Sequence, residues 1–350
     1  LLPRGHMILL PNGLDQNLQR LHLPLRQQPK LSTKEHKMLK TRIQMVEKEL
    51  RRIAVIDLGT NTFNLLIAEI GQSKMEYIHS EKVAVLLGMG GINQGCIADD
   101  AMERAKLTLL QFKLKCEEFS VQSIEGIGTS ALREAKNANV LVDFALHSLH
   151  IPISIISGDD EAKLIYNGVR YCHLINDETL IMDIGGGSTE FIHANSSGLI
   201  DAVSLDIGVS RIYQLLNKPE EYTKADIEFV NAYLNKQQTI FFTTANVSIL
   251  VGSSGSFETI FEMVNKMDFP ATGDSFELPL ELVIKELNWL ISSTLEERMN
   301  NQWIVSIRKK MMPIAALKMK WIIEKMNIKQ VFVSPYSLKE GVFMSNLDEI

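Results

Sequence analysis

The chain has 350 residues, 36 of them Lys or Arg and 42 Asp or Glu, for a formal net charge of −6. At 45% apolar and 22% charged it has the balance of one large or two ordinary globular domains, which excludes a disordered acidic chain, a collagen-like repeat and a small disulfide scaffold. No run of eighteen apolar residues could span a membrane, and the acidic total argues against nucleic acid as a partner.

The first 52 residues hold eleven Lys/Arg against four Asp/Glu, a local charge of +7; the rest hold 25 against 38, or −13. Pro3, Pro11, Pro24 and Pro29 crowd the first thirty residues, no apolar period persists there, and Leu2–Met7 resembles a protease-cleavable tag linker. Residues 1–50 are therefore read as a leader, tag or upstream sequence outside the fold, with Met38 or Met45 as a natural start. The functional alternative is a basic arm for an anionic partner.

Short β runs follow at Ile53–Asp57 and Thr62–Glu69, joined by a tight turn at Leu58–Asn61. Met75–His79 and Val83–Leu87 extend the β pattern until Gly88–Gly91 breaks it. Asp99–Phe119 has helical spacing and an acidic first turn, which suits the helix dipole. Then come a strand at Ser123–Gly128, a helix at Val140–Leu149, a strand at Ile153–Ile156 and a helix at Glu161–Cys172. At Thr179–Asp183 the opening theme returns: Met182-Asp183-Ile184-Gly185 matches Ile56-Asp57-Leu58-Gly59, and each is followed by small or polar residues and a β run. This long-period repeat predicts two related domains, 51–172 and 173–337, with the C-terminal helix 338–350 able to join the first. Helices are predicted at Thr223–Phe242, Pro279–Met299, Met311–Met326 and Leu338–Leu347, and strands at Ile249–Val251 and Val331–Ser334. Strands alternating with helices, together with antiparallel hairpins, predict a mixed α/β architecture.

The chemistry sits in the turns. Glycine lets backbone approach a ligand, and successive turn N–H groups make an anion-binding concavity. A carboxylate beside such a turn can hold Mg²⁺, which bridges phosphate oxygens. Two strand–Asp–Gly-turn–strand units in one chain favour phosphate binding over turn geometry alone. Gly252–Ser256 is a third small-residue turn, and two readings stay open: N–H groups offered to an anion, or a strand–helix connection with Ser256 as N-cap and Glu258 in the first turn. In Ser157–Glu161 a capping box of Ser157 and Asp160 accounts for Asp160 but not for Glu161. Cleaving a phosphoanhydride needs a carboxylate that orients water or takes its proton, and Glu161 is the candidate. Arg133 could grip a phosphoryl oxygen, although an arginine there is also an ordinary solvated helix residue. The eight histidines do not cluster, and Cys96, Cys116 and Cys172 are odd in number and widely spaced. Neither a metal cage nor a disulfide framework is read from them, and a reducing cytoplasm is the simplest home.

Taken together, these segments resemble the exopolyphosphatase / guanosine pentaphosphate phosphohydrolase (Ppx/GppA) family. Ile56–Phe63 is similar to its first phosphate loop and Asp183–Glu190 to its second. Gly128–Arg133, Ile156–Ala162, Gly252–Ser256 and Tyr336–Val342 fall in the family's order, from about Ile53 to the C-terminus. The resemblance implies two ribonuclease-H-like domains of the actin-like ATPase superfamily, with the active site in the cleft between them. It implies hydrolysis of terminal phosphate from inorganic polyphosphate, or of pppGpp to ppGpp, with Mg²⁺ or alternatively Mn²⁺ as cofactor. By position, Glu161 matches the catalytic glutamate, Arg133 a cleft arginine on phosphate, and Asp183 and Glu190 the residues at the metal. Asp57, Gly59, Thr60, Asn61 and Thr62, then Gly185, Gly186, Gly187, Ser188 and Thr189, and finally Ser253, Ser254, Gly255 and Ser256, match phosphate loops. The chain departs from the family where Val83–Leu87 lacks arginine, around Arg308–Ala315, and where Pro335, Ser337 and Lys339 replace the Asp, Gly and Arg of the late motif. Fewer cations would weaken a long polyanion more than a compact nucleotide. The chain resembles the short two-domain form, with which a homodimer is compatible. The competing functions are a non-catalytic (p)ppGpp or nucleotide sensor, and a small-molecule kinase of the same superfamily.

Overall fold

A computed structural model describes residues 51–71, 74–237 and 239–348. The expectations for residues 1–50, as leader or as basic arm, lie outside the described residues. The described chain is one compact unit built on two mixed sheets. In the first sheet, β1 (Arg51–Leu58), β2 (Thr62–Gly71) and β3 (Lys74–Ala84) run antiparallel, while β4 (Ser123–Gly128) pairs parallel with β1, and β5 (Ile153–Ile155) with β4. The second holds β6 (Thr179–Ile184), β7 (Thr189–Asn195), β8 (Gly198–Leu205), β9 (Ile249–Ser253), β10 (Phe276–Leu278) and β11 (Gln330–Val333). Its order β8-β7-β6-β9-β11 repeats the first sheet's β3-β2-β1-β4-β5, and β10 adds an antiparallel edge. The sequence repeat is thus a repeat of topology, and the expected pair of mixed α/β units is present.

The helices cover these sheets. α1 (Asp99–Glu118) and α3 (Ala138–Leu149) pack on one face of the first sheet, and the five-residue α2 (Ser130–Glu134) follows β4 directly. α4 (Gly158–Cys172) lies between the sheets, so that Ala162, Ile165 and Val169 share one core with Val55 and Leu66 on one side and Ile181 and Ile192 on the other. That double cover explains why β6 is apolar along its length except for Thr179 and Asp183. Beyond β8 come α5 (Val209–Leu215), α6 (Lys224–Asn235), α7 (Phe241–Thr244), α8 (Gly255–Asn265), α9 (Leu280–Ser292), α10 (Leu295–Asn300) and α11 (Met312–Lys325); all but α10 supply side chains to the outer core of the second sheet. α12 (Leu338–Asp348) turns back onto α4 and β1. Among the described residues no helix is long and apolar enough to cross a membrane.

Several expected boundaries move for local reasons. Val83–Leu87 is not a separate strand: β3 ends at Ala84, the N–H groups of Val85 and Leu86 both donate to Asn61 O, and Leu86 turns to φ +53°. The helix expected over Thr223–Phe242 stops at Asn235, because the buried stripe of Val230 and Leu234 runs out into polar Lys236 and Gln237. Pro279–Met299 is two helices, since Thr294 forms a capping box with Glu297 and starts α10. Ser157 accepts from Asp160 N at 3.1 Å and so caps α4, and its hydroxyl also donates to the Asp160 carboxylate at 2.7 Å. β8, β10 and α5 have no counterpart in the sequence reading; the strand has half-buried positions with no clean alternation, and the other two are short.

Candidate active site

The two hairpins share one pattern of pairing. Leu58 pairs with Phe63 and Asp57 with Asn64; Ile184 pairs with Thr189 and Asp183 with Glu190. Each therefore ends in a four-residue loop with an Asp two positions before its first glycine, and Glu190 stands where the first repeat has Asn64. Asn64 Nδ2 donates to Asp57 Oδ2 at 2.7 Å. Asp183 Oδ2 accepts from Ser253 Oγ at 2.6 Å and Ser337 Oγ at 2.7 Å, and Glu190 Oε1 accepts from Ser204 Oγ at 2.7 Å.

The loops meet face to face because both are small. A Cβ on Gly186 would come within 2.8 Å of the Asn61 side chain, and one on Gly187 within 2.3 Å of Ser130 Oγ. The carbonyls of Gly185, Gly186 and Gly187 accept from the N–H groups of Val209, Ser210 and Gly208, at 2.9–3.1 Å, where α5 begins. In a planar trans peptide the next N–H points the opposite way, so those of Gly186, Gly187 and Ser188 are turned away from α5. Loop and cleft wall coincide: Asp57, Gly59–Thr62, Asp183, Gly185–Ser188, Thr129, Ser130 and Glu161 all line one pocket. Loop one is held from behind by Gly88 N donating to Thr60 O at 3.0 Å, and Ser210 Oγ donates to Asn61 Oδ1. The Gly88–Gly91 break is the wrap that secures the first loop.

The carboxylates are crowded and dry. Glu161, in the first turn of α4, is 7% exposed, and Glu190 is 1% exposed. Burial, with Glu190 and Asp57 nearby, holds the Glu161 carboxyl well above its ordinary value, against the pull of Arg133. Burial and the neighbouring Asp183 push Glu190 up to about 7, and burial raises Asp57 to about 6. Lys318 lies wholly buried behind this group, donating to Thr189 Oγ1; burial pushes it down to about 7, while Glu190 and Asp183 favour its charged form. A lysine in the middle of an apolar helix is the signal that would have found it.

Not every expected residue faces the cleft. Arg133 is expected on phosphate; in the structure its Nη1 donates to Glu161 Oε2 and to Ile156 O, both at 3.0 Å, and it is outside the pocket lining. That geometry makes it a positioning partner of Glu161. Thr189, Glu190 and Ser253 also stand behind the wall, where Ser253 holds Asp183. In the third turn Ser254, Gly255 and Ser256 do line the pocket. The N-cap of α8 is Ser254, not Ser256, and it takes φ +72°, a strained value for a residue with a Cβ. Three lining cations were missed: Lys82 on β3, Arg308 before α11, and Lys339 in the first turn of α12. They correct the expectation that the cleft is poor in cations. Lys82 immediately precedes the arginine-free Val83–Leu87, and Lys339 itself fills the place of the late-motif arginine.

Comparison with known proteins agrees with this architecture. The Ppx/GppA phosphatase family model matches residues 66–350. A crystal structure of an exopolyphosphatase from Cytophaga hutchinsonii is 33% identical, with a TM-score of 0.82, over 86% of this chain and 99% of that one. A Haemophilus influenzae protein described as a candidate exopolyphosphatase is 28% identical over 85% of this chain and 91% of its own. A guanosine-5'-triphosphate,3'-diphosphate pyrophosphatase of Pseudoalteromonas atlantica is 27% identical, and the chain spans 59% of its length. With its repeated fold, its paired Asp-Gly loops and a family match over most of its length, the chain belongs to the Ppx/GppA phosphatase family.

Proposed function

We propose that this protein hydrolyses terminal phosphoanhydride bonds, releasing orthophosphate from inorganic polyphosphate, with pppGpp as a second substrate. The observation that carries this reading is the placement of Glu161, buried in the first turn of α4 on the wall shared by both glycine loops. A carboxyl held above its ordinary value by burial is a stronger proton acceptor when ionised, and Arg133 keeps an ionised form accessible. Glu161 takes a proton from water as the water oxygen attacks the terminal phosphorus. The P–O bond to the penultimate phosphate breaks, and that phosphate leaves as the new chain end. The turned N–H groups of loop two bind the phosphoryl oxygens, and Lys82, Arg308 and Lys339 offset the charge of the rest of the chain.

Mg²⁺, or Mn²⁺ in its place, fits this donor set. Among the described residues no three His, Cys, Asp or Glu side chains form a ready cage. Mg²⁺ is commonly held by one or two carboxylates completed by substrate phosphates and water, and Asp183, which lines the cleft, would hold it so, with Glu190 behind it adding negative charge. When bound, it neutralises charge on the phosphate oxygens. Polyphosphate ranks first because the cleft carries three lining cations and two relatives matched over 91% and 99% of their own lengths are exopolyphosphatases by name, whereas the guanosine-nucleotide enzyme is matched over 59% of its length. The cysteines are all free, which fits a reducing cytoplasm.

Orthophosphate release from tripolyphosphate, long-chain polyphosphate and pppGpp tests the reading. Release with Mg²⁺, abolished by EDTA and fastest on polyphosphate, is expected. No release from any of the three with either Mg²⁺ or Mn²⁺ would overturn it.

A further inference from the structure

The three cleft cations converge on one acid. Glu258, in the first turn of α8, takes Lys82 Nζ on both oxygens at 3.1 Å and Arg308 Nη2 on Oε2 at 3.0 Å. Burial would raise its carboxyl, but Lys82 and Arg308, with Lys339 nearby, outweigh that and hold it at about 2. Burial is the main cause that lowers the Lys82 ammonium; Glu258 favours its charged form, and Arg308 and Lys339 oppose it. The contact also bridges the cleft, since Lys82 is on the first sheet while Glu258 and Arg308 belong to the second half.

Two of the cations have a partner other than Glu258. Arg308 Nη1 donates to Thr259 Oγ1 at 3.0 Å, and its guanidinium lies over Gly255, where a Cβ would be 1.8 Å from Nη2. Lys339 pairs with the buried Glu340 at 2.8 Å. A carboxylate gripped by an ammonium and a guanidinium presents two charged oxygens to them, as a phosphate would. A phosphate in a chain carries at least the same charge.

We propose that Lys82, Arg308 and Lys339 form a second anion subsite, for a phosphate distal to the one being cleaved in a linear polyphosphate, and that Glu258 fills this subsite until substrate displaces it. The proposal rests on the phosphoanhydride reading of the cleft. Its consequence is that Glu258 weakens polyphosphate binding, although it is the best-paired acid in the cleft.

Calorimetric titration of tripolyphosphate into the whole protein in EDTA, without turnover, is the direct test. Glu258→Gln is expected to tighten binding about fivefold, the scale of a partly exposed ion pair, and to steepen its salt dependence. In a Lys82→Met background the same substitution should gain less, because the freed cation is gone. Binding unchanged or weakened by Glu258→Gln, in protein whose thermal midpoint shows it folded, would overturn the subsite; that result is expected if Glu258 only holds Lys82 in place. Should Glu258→Gln unfold the protein, Lys82→Met decides alone: a several-fold weaker titration supports the subsite and an unchanged one overturns it. Turnover separates the two readings. Wild-type protein that binds tripolyphosphate but never releases orthophosphate contradicts the hydrolase while leaving the subsite intact.

Discussion

Glu161→Gln is expected to lower kcat for orthophosphate release by about 10²–10⁴-fold, the usual contribution of a positioned general base, with KM changing far less. The amide keeps the size of the side chain and its place at the start of α4, so the glycine loops and cleft cations still bind the substrate. What it loses is the basic carboxylate that takes the water proton. It also removes one of a set of mutually repelling buried carboxyls, so the thermal midpoint should stay level or rise. Steady-state kinetics beside a thermal melt check both parts. Unchanged kcat in the folded variant would remove Glu161 from the chemistry.

The second large effect is on the scaffold that carries Glu161. α12 crosses α4 so closely that a Cβ on Gly341 would lie 1.8 Å from Leu164 O, and one on Gly168 would lie 2.0 Å from Ser337 O. The obstacles are backbone atoms, which cannot rotate aside. Gly341→Ala must push the two helices apart, opening the core that Val342 and Phe343 share with Ile165 and Val169. A destabilisation of about 3 kcal/mol is expected, at the upper end of overpacking costs. For a chain of this size that lowers the melting temperature by roughly 5 °C or more. Activity should fall as well, because Ser337, which bonds Asp183, and Lys339 lie at the start of α12. A melting temperature within a degree of wild type would show that the crossing has slack.

These effects divide along what the sequence makes legible. The hairpin loops can be read because each is a contiguous string of strand, Asp, glycine turn and strand, and turn chemistry is local. Glu161 can be read because a helix start has its own signature and Glu161 lies just beyond what capping explains. Helix ends at Asn235 and Ser292 depend on where an apolar stripe fades and where Thr294 caps again, a weaker signal spread over many residues. The cationic mouth is the least legible part. Lys82, Glu258, Arg308 and Lys339 are far apart in sequence, and each alone resembles an ordinary solvated charge. Only the return of α12 to the first sheet and the approach of α8 to β3 bring them together. The same limit applies to Arg133, whose pairing with Glu161 depends on β4 and α4 meeting in space.

In the proposed reaction water, directed by Glu161, attacks the terminal phosphorus. Hydrolysis of tripolyphosphate in ¹⁸O-enriched water, followed by mass analysis of the released orthophosphate, tests it most directly. The orthophosphate cleaved from the tripolyphosphate end in the first turnover should carry one solvent oxygen, at a rate that collapses in Glu161→Gln. First-turnover orthophosphate without solvent oxygen, or phosphate recovered only on an added acceptor, would contradict it.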